Sequence, residues 1–473
     1  MTTLKKLRRK VNPRKPLNGE TLQAAVSWAI HRGIFSGLKV HGNTVWQMAE
    51  LVALAVIWVW SDQKTLTGAF QEANRWTIDL LGRSVLGTFQ GMMGALTTWT
   101  ARILPLIRAR LHQLMELEGG AHFRFGRWVP IAVDGSRISV PRTKENEAAF
   151  CSKTYGQSSK AKTRRKKRKK RDQRLRMRRK KAEPQGPQIW TTLLWHMSMH
   201  MPWNWRTGPS TASERTHFKE MLAEEKYPKN TLFCADAGFV GYELWKQIIE
   251  VGQHFPIRCG ANVRLLKELG YVRESGGIVY LWPDELARKN QPPLALRLIR
   301  VKIGKANVSL VTNVLDAKWL SNTQALQLYR VRWGIELQFR TLKQTFGRRM
   351  LRSRTPERAL VELDWSLLGL WLIQLFAVKE QIDLGKLPEH CSAGLAINIV
   401  REIFDRWWDQ PARGEDLASR LGNAVKDGYV RKKPKRGRYK PKNGSEPSCG
   451  SPIITKASSE QKARLKKYLA TAV

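Results

Sequence analysis

The sequence predicts a mixed α/β fold, with an all-α N-terminal domain and a β-rich insertion in its core. Three observations predict it. Residues 20–118 repeat apolar side chains at helical spacing. Residues 128–262 carry short apolar runs broken by glycine and proline, ending in a strand–helix–strand unit. A second β-rich stretch, 263–318, precedes a strong amphipathic helix. At 473 residues and 42% hydrophobic, the chain can bury a sizeable core and build several domains of roughly 100–200 residues.

Taken in order, residues 1–17 read as a basic arm. The helical domain, 18–120, rests on TLQAAVSWAIHR, VWQMAELVALAVIWVW and the long run SVLGTFQGMMGALTTWTARILPLIRARLHQLMEL; Pro105 should kink or break the last of these, and Gly119-Gly120 should end the region. The first core segment, 121–262, opens with the strand WVPIAVDGSRISVP. IWTTLLWHMSMHMPW and TLFCADAGF read as further strands, GYELWKQIIEVG as a helix and FPIRCG as a strand. A basic loop, 160–184, interrupts it. Its stretch 160–181 holds 16 Lys+Arg and one acid, Asp172, and no packed element tolerates such a like-charge block. The insertion, 263–318, contains GGIVYLWP and LRLIRVKIGKANVSLVTNVL. The second core segment, 319–385, starts with the helix SNTQALQLYRVRWGIELQFRTLKQTF, for which Ser321 and Gln324 form a capping box. C-terminal helices are expected over 386–425 and a basic, largely disordered tail over 426–473.

Lys+Arg number 83 against 39 Asp+Glu, a formal charge of +44. Such a charge points to a polyanion partner, nucleic acid by default, and disfavours a small-molecule enzyme of acidic type. The five cysteines have no C-x-x-C spacing, so neither a disulfide framework nor a zinc ribbon is expected. The N-terminal stretch lacks the apolar run of a secretory signal, and the longest apolar stretches fall short of the ~20 residues of a bilayer span. These readings give a cytoplasmic, nucleoid-associated protein without a membrane partner.

The helix at 321–346 carries the most chemistry. At about 100° per residue from Tyr329, Arg332, Glu336 and Lys343 fall in one arc of roughly 60°, beside an apolar arc. On helix geometry alone the ordinary reading is a solvated strip with i,i+4 pairs. Two aspartates add weight. Asp134, in IAVDGS, ends a short apolar strand before Gly135; Leu232, Cys234 and Asp236 share a strand face, with Gly238 beyond. Each alone is an ordinary turn former. Together with Glu336 they make three oxygen donors suited to Mg²⁺, a gathering strongly repulsive without a metal. His196 and His200 share a strand face but lack a third ligand, so they read as strand-face histidines. Cys234, Cys259 and Trp282 read as core residues. No Walker motif is present.

This constellation resembles the DDE transposases of bacterial insertion sequences, in the group marked by a Tyr-x2-Arg-x3-Glu-x6-Lys signature. Tyr329, Arg332, Glu336 and Lys343 match that spacing without a gap. D-G-S at Asp134 resembles the family's first catalytic block and A-D-A-G-F at Asp236 the second. The resemblance covers about 121–160 and 185–380; the basic block 160–181 lies outside the family pattern. It implies an RNase H-like catalytic core and catalytic, metal-holding roles for Asp134, Asp236 and Glu336. It further implies phosphate contacts from Tyr329, Arg332 and Lys343, two Mg²⁺ ions (Mn²⁺ able to substitute), and double-stranded DNA as element end and target, held by a dimer.

Ions about 3.5–4 Å apart can activate an attacking oxygen and stabilise the leaving one. Water would first free a 3′-OH at the element end, and that 3′-OH would then attack target DNA; the group admits a hairpin intermediate. Arginine suits phosphate because its planar fork binds oxygens in pairs. The basic segments 1–15, 160–181 and 426–442 would hold DNA backbone without reading sequence. End recognition would fall to the helical domain. Two rivals remain at this stage: a basic nucleic-acid-binding protein without an active site, and a structure-selective nuclease that cuts but does not join.

Overall fold

A computed structural model describes residues 19–152, 186–274, 276–303, 306–406, 417–427 and 449–471. The basic segments 1–15 and 160–181, and nearly all of 426–442, lie outside the described residues.

Four helices come first: α1 (Gly19–Ala29), α2 (Met48–Trp60), α3 (Leu66–Leu81) and α4 (Phe89–Gly119). Thr65 and Thr88 cap α3 and α4 by accepting from Gly68 N and Gly91 N. Helix α4 ends at Gly119, where the paired glycines predict, but Pro105 does not break it. The core follows with β1 (Val129–Ser139), α5 (Lys144–Phe150), β2 (Gln188–His196), β3 (Met201–Gly208), α6 (Glu214–Glu224), β4 (Thr231–Cys234), α7 (Tyr242–Glu250) and β5 (Pro256–Cys259). Next come β6 (Arg264–Lys267), β7 (Ile278–Leu281), α8 (Asp284–Arg288), β8 (Leu294–Ile303) and β9 (Ala306–Thr312). Helices α9 (Asn322–Val331), α10 (Gly334–Gln344), α11 (Pro356–Asp383), α12 (Ala393–Arg406) and α13 (Leu417–Gly422) lead to β10 (Ile453–Lys456) and α14 (Ser459–Thr471).

The chain divides into two compact units. One joins residues up to 123 with 344–348 and 361–428. The helical N-terminal region therefore shares its unit with most of α11 and with α12 and α13, where the sequence reading separates them. Helix α2 is apolar nearly all round and buried along almost its whole length, which makes it a central helix. Its Trp60 indole donates to Gly369 O at 2.9 Å, and Trp365 donates to Thr100 Oγ1 at 2.9 Å, so these buried N–H groups are satisfied. Helix α11 is long and apolar enough to cross a membrane, yet its most apolar window is 94% buried inside the protein.

The second unit, 124–343 with 349–360 and 429–473, holds two sheets. The first has the order β3-β2-β1-β4; β1 is antiparallel to β2 and parallel to β4. Strand β5 adjoins β4 through parallel bridges, Leu232 with His254 and Ala235 with Ile257. The single strand expected over IWTTLLWHMSMHMPW is instead a hairpin. His196 ends β2, and His200 sits in the turn at φ 56°, so the two histidines do not share a strand face. His196 is buried, its Nδ1 accepting from Met199 N.

The second sheet, β10-β6-β7-β8-β9-β5, takes β6 to β9 from the β-rich stretch 263–318 and its two edges from elsewhere. Strand β5 comes from the preceding core segment. Strand β10 comes from the tail and pairs in parallel with β6. Helix α14 adds Leu465 to the cluster of Leu266, Ile278, Tyr280 and Trp282. Residues 449–471 are thus ordered structure, contrary to the disordered tail expected there. The apolar i,i+3 pattern of RLKKYL supplies too few anchors to announce that helix without its sheet.

Candidate active site

Alternation along β1 decides which side chains meet. Ala132, Asp134 and Ser136 share one face, opposite Trp195, Leu193 and Thr191 of β2. Gly135 points to the other face, where a Cβ would lie 2.6 Å from Glu214 Cγ and 3.0 Å from Trp190 Cζ2. The D-G pair therefore lets α6 close on one face while the acid faces the other. Asp134 does not end its strand, as the sequence reading has it. It sits mid-strand, where β1 passes from buried to half-buried.

Strand β4 runs parallel to β1 with Ala132 opposite Cys234. Two residues further along come Asp134, still in β1, and Asp236, beyond the last pair of the ladder. Asp236 lies just past the end of β4 and caps a short 3-10 turn, Ala237–Phe239. Both carboxylates are oriented alike by a glycine: Gly135 N donates to Asp134 Oδ1 at 2.8 Å, and Gly238 N donates to Asp236 Oδ1 at 2.7 Å.

Glu336 arrives on α10. At one end of that helix Gly334 packs on the Trp195 indole so closely that a Cβ would sit 2.2 Å from Cη2. Nine residues on, Lys343 Nζ donates to Ser136 Oγ at 2.6 Å. Nine helical residues span about 13.5 Å. The strand distance from Ala132, beside Trp195, to Ser136 is about 13 Å. These two contacts set α10 alongside β1, and Glu336 is near enough to Asp134 to act on its charge.

The single helix expected over 321–346 is two helices. The Ser321–Gln324 capping box is present at the start of α9. The turn at 332–333 tightens, with Trp333 N bonding to Arg330 O, Ile335 N to Arg332 O and Glu336 N to Trp333 O. These i→i+3 bonds advance each residue by more than 100°, so the arc drawn on one continuous helix does not hold across the break. Tyr329 and Arg332 are 9% and 6% exposed, which excludes a solvated strip for both. The guanidinium lies 5.4 Å from the Tyr329 ring centroid, and its Nε is buried without a hydrogen-bond partner among the described residues.

Electrostatics bind the site together. Burial lifts the pKa of Asp134 from 3.8 to about 6; Asp236 and Glu336 push it further up, while the Gly135 N–H and Arg332 pull it down. Two acids far away in sequence thus act on Asp134, with Arg332 as partial compensation. Arg332 also acts on Cys234, whose thiol burial pushes up to about 12. The Lys343 ammonium is held below its ordinary pKa by burial and by Arg349.

The donor set is all oxygen, and its excess negative charge is what a divalent cation relieves. The three carboxylates fit such an ion in chemistry. In position, though, no group of three or more Asp, Glu, His or Cys side chains among the described residues is close enough together to hold a metal ion. Ser136, Gly334 and Trp195 are the site residues that sequence reasoning missed. The first was readable from alternation, since D-G-S places serine on the aspartate's face.

The family model described as Transposase DDE domain matches residues 129–372, slightly more than half of the chain. The chain belongs to that family. It is 27% identical over 312 residues to "Transposase InsG for insertion sequence element IS4" of Escherichia coli (strain K12), a match that takes in 63% of this chain and 64% of that protein. The chain thus spans less than two thirds of this relative's length. A solved piggyBac transposase synaptic complex with hairpin DNA is similar at 12% identity and a TM-score of 0.37, over 88% of this chain and 87% of that one; so low a score bears no weight here.

Proposed function

We propose that this protein is a DNA transposase that cuts strands at the ends of an insertion-sequence element and joins the freed 3′-OH to target DNA. The observation that carries the reading is the match of residues 129–372 to the transposase DDE domain; the strand register that sets Asp134 and Asp236 each two residues beyond the Ala132–Cys234 pair supports it. An RNase H-like core is supported by the strand order β3-β2-β1-β4 with β5 alongside β4.

In this reading Asp134, Asp236 and Glu336 hold Mg²⁺. When bound, the ions activate the attacking oxygen and stabilise the leaving one. The Gly135 and Gly238 N–H groups fix one oxygen of each aspartate and leave the other for the ion. Arg332 keeps the acids from full mutual repulsion. Lys343 supplies N–H donors to a phosphate beside the acid row, and Tyr329 backs the guanidinium. The partner is double-stranded DNA, element end and target, gripped by a dimer; the setting is the bacterial cytoplasm, on the nucleoid. The net charge of +44 suits that partner.

The test is nicking of a supercoiled plasmid carrying this gene with its flanking DNA. Wild type should nick with Mg²⁺. Glu336→Gln should lose cleavage while keeping DNA affinity. A variant that cuts at the wild-type rate refutes the assignment. A strand-transfer assay with a 3′-OH donor then separates a transposase from a nuclease that only cuts.

A further inference from the structure

We propose that Ser136 is a positioning residue: its hydroxyl anchors the Lys343 ammonium beside the acid row, and the grip of Lys343 on DNA phosphate depends on that anchor. The inference rests on the transposase reading for its substrate, but its geometry stands alone.

The Ser136 hydroxyl is on the Asp134 face of β1, one strand repeat further along. Among the described residues, its oxygen is the hydrogen-bond partner of Lys343 Nζ, at 2.6 Å, and no carboxylate forms an ion pair with that ammonium. Lysine is a point charge on a flexible four-carbon stem, so without an anchor it samples many rotamers. Here burial and the nearby Arg349 charge both disfavour the ammonium, and one oxygen acceptor opposes them. One N–H is committed to Ser136, leaving two donors for phosphate oxygens. The contact also ties the C-terminal end of α10 to β1, and so sets where along the strand Glu336 comes to rest. A serine two residues after the first aspartate thus links the first acid block to the last residue of the signature.

The test is a double-mutant cycle in the full-length chain, with Ser136→Ala, Lys343→Ala and the pair together, and with Ser136→Thr as the hydroxyl-retaining control. Two readouts are taken. One is nicking of the plasmid with its flanking DNA; the other is affinity for a duplex of that flanking sequence in EDTA. Ser136→Ala should slow nicking about tenfold, the size of a misplaced phosphate contact. It should have no further effect when Lys343 is already alanine. Ser136→Thr should stay within about twofold of wild type. Equal effects of Ser136→Ala in both backgrounds overturn the proposal, as does Ser136→Thr being as slow as Ser136→Ala with an unchanged melting temperature. If wild type nicks nothing, the transposase reading fails, and the same cycle on duplex affinity still decides for or against Ser136.

Discussion

At Asp134 burial works against the charge that the proposed chemistry needs. Its pKa rises from 3.8 to about 6 on folding, so the native state binds the proton more tightly than the unfolded chain. The group costs nothing below about pH 4. Stability is lost as pH climbs to about 6, and the full cost is present above it, at most about 3 kcal/mol. Asp134→Asn should therefore raise the melting temperature at pH 8 in EDTA and leave it unchanged at pH 4; an equal gain at both values would place the cause elsewhere. Cleavage should need more Mg²⁺ as pH drops below about 6, because the proton and the cation compete for the same carboxylate. Gly334 gives a second residue-scale prediction. Glycine to alanine inside a helix normally stabilises by about 1 kcal/mol. Here the new Cβ would meet the Trp195 ring at 2.2 Å, so the sign should reverse, with a loss of roughly 1–3 kcal/mol in urea unfolding and slower cleavage. The sequence names Asp134, Asp236, Glu336 and the signature as candidates residue by residue. The Gly334–Trp195 contact was not legible there, since it joins residues 139 positions apart and no local pattern marks it.

At the scale of elements, the sequence read well where one period dominates. Helices α1, α2, α7 and α11, and the β8–β9 hairpin, all lie in segments whose apolar spacing announces them. It read less well where a tertiary contact cuts a pattern. The amphipathic run from 322 to 344 looks continuous, yet the tight turn at 332–333 splits it where Gly334 must meet the indole. Pro105 errs the other way: helix α4 passes through it. The tail shows a third kind of difference. Strand β10 has mostly exposed side chains and makes sense only as the edge partner of β6. Truncation after residue 448 should uncover that edge and the apolar cluster that Leu465 completes. The expected outcome is faster proteolysis within 264–312 and a lower melting temperature; an unchanged cleavage pattern would show that β10 and α14 are dispensable.

Across the whole molecule, charge and site divide the labour. The proposed site rests on three acids, whereas the charge of +44 is spread along the chain, with the densest block at 160–181. Phosphate contacts from such a block release counterions and steepen the salt dependence of binding. Deleting 160–181 should make the slope of log K against log[salt] shallower by roughly 3 units or more, with Mg²⁺-dependent nicking retained at low salt. An unchanged slope would show that the block does not touch DNA. The measurement that bears most directly on the account is Mn²⁺ binding by calorimetry, on wild type and on Asp134→Asn, Asp236→Asn and Glu336→Gln separately. If the three carboxylates hold the ions together, each substitution should weaken Mn²⁺ at least about tenfold. Wild-type affinity in any one of the three would remove that acid from the site and contradict the account.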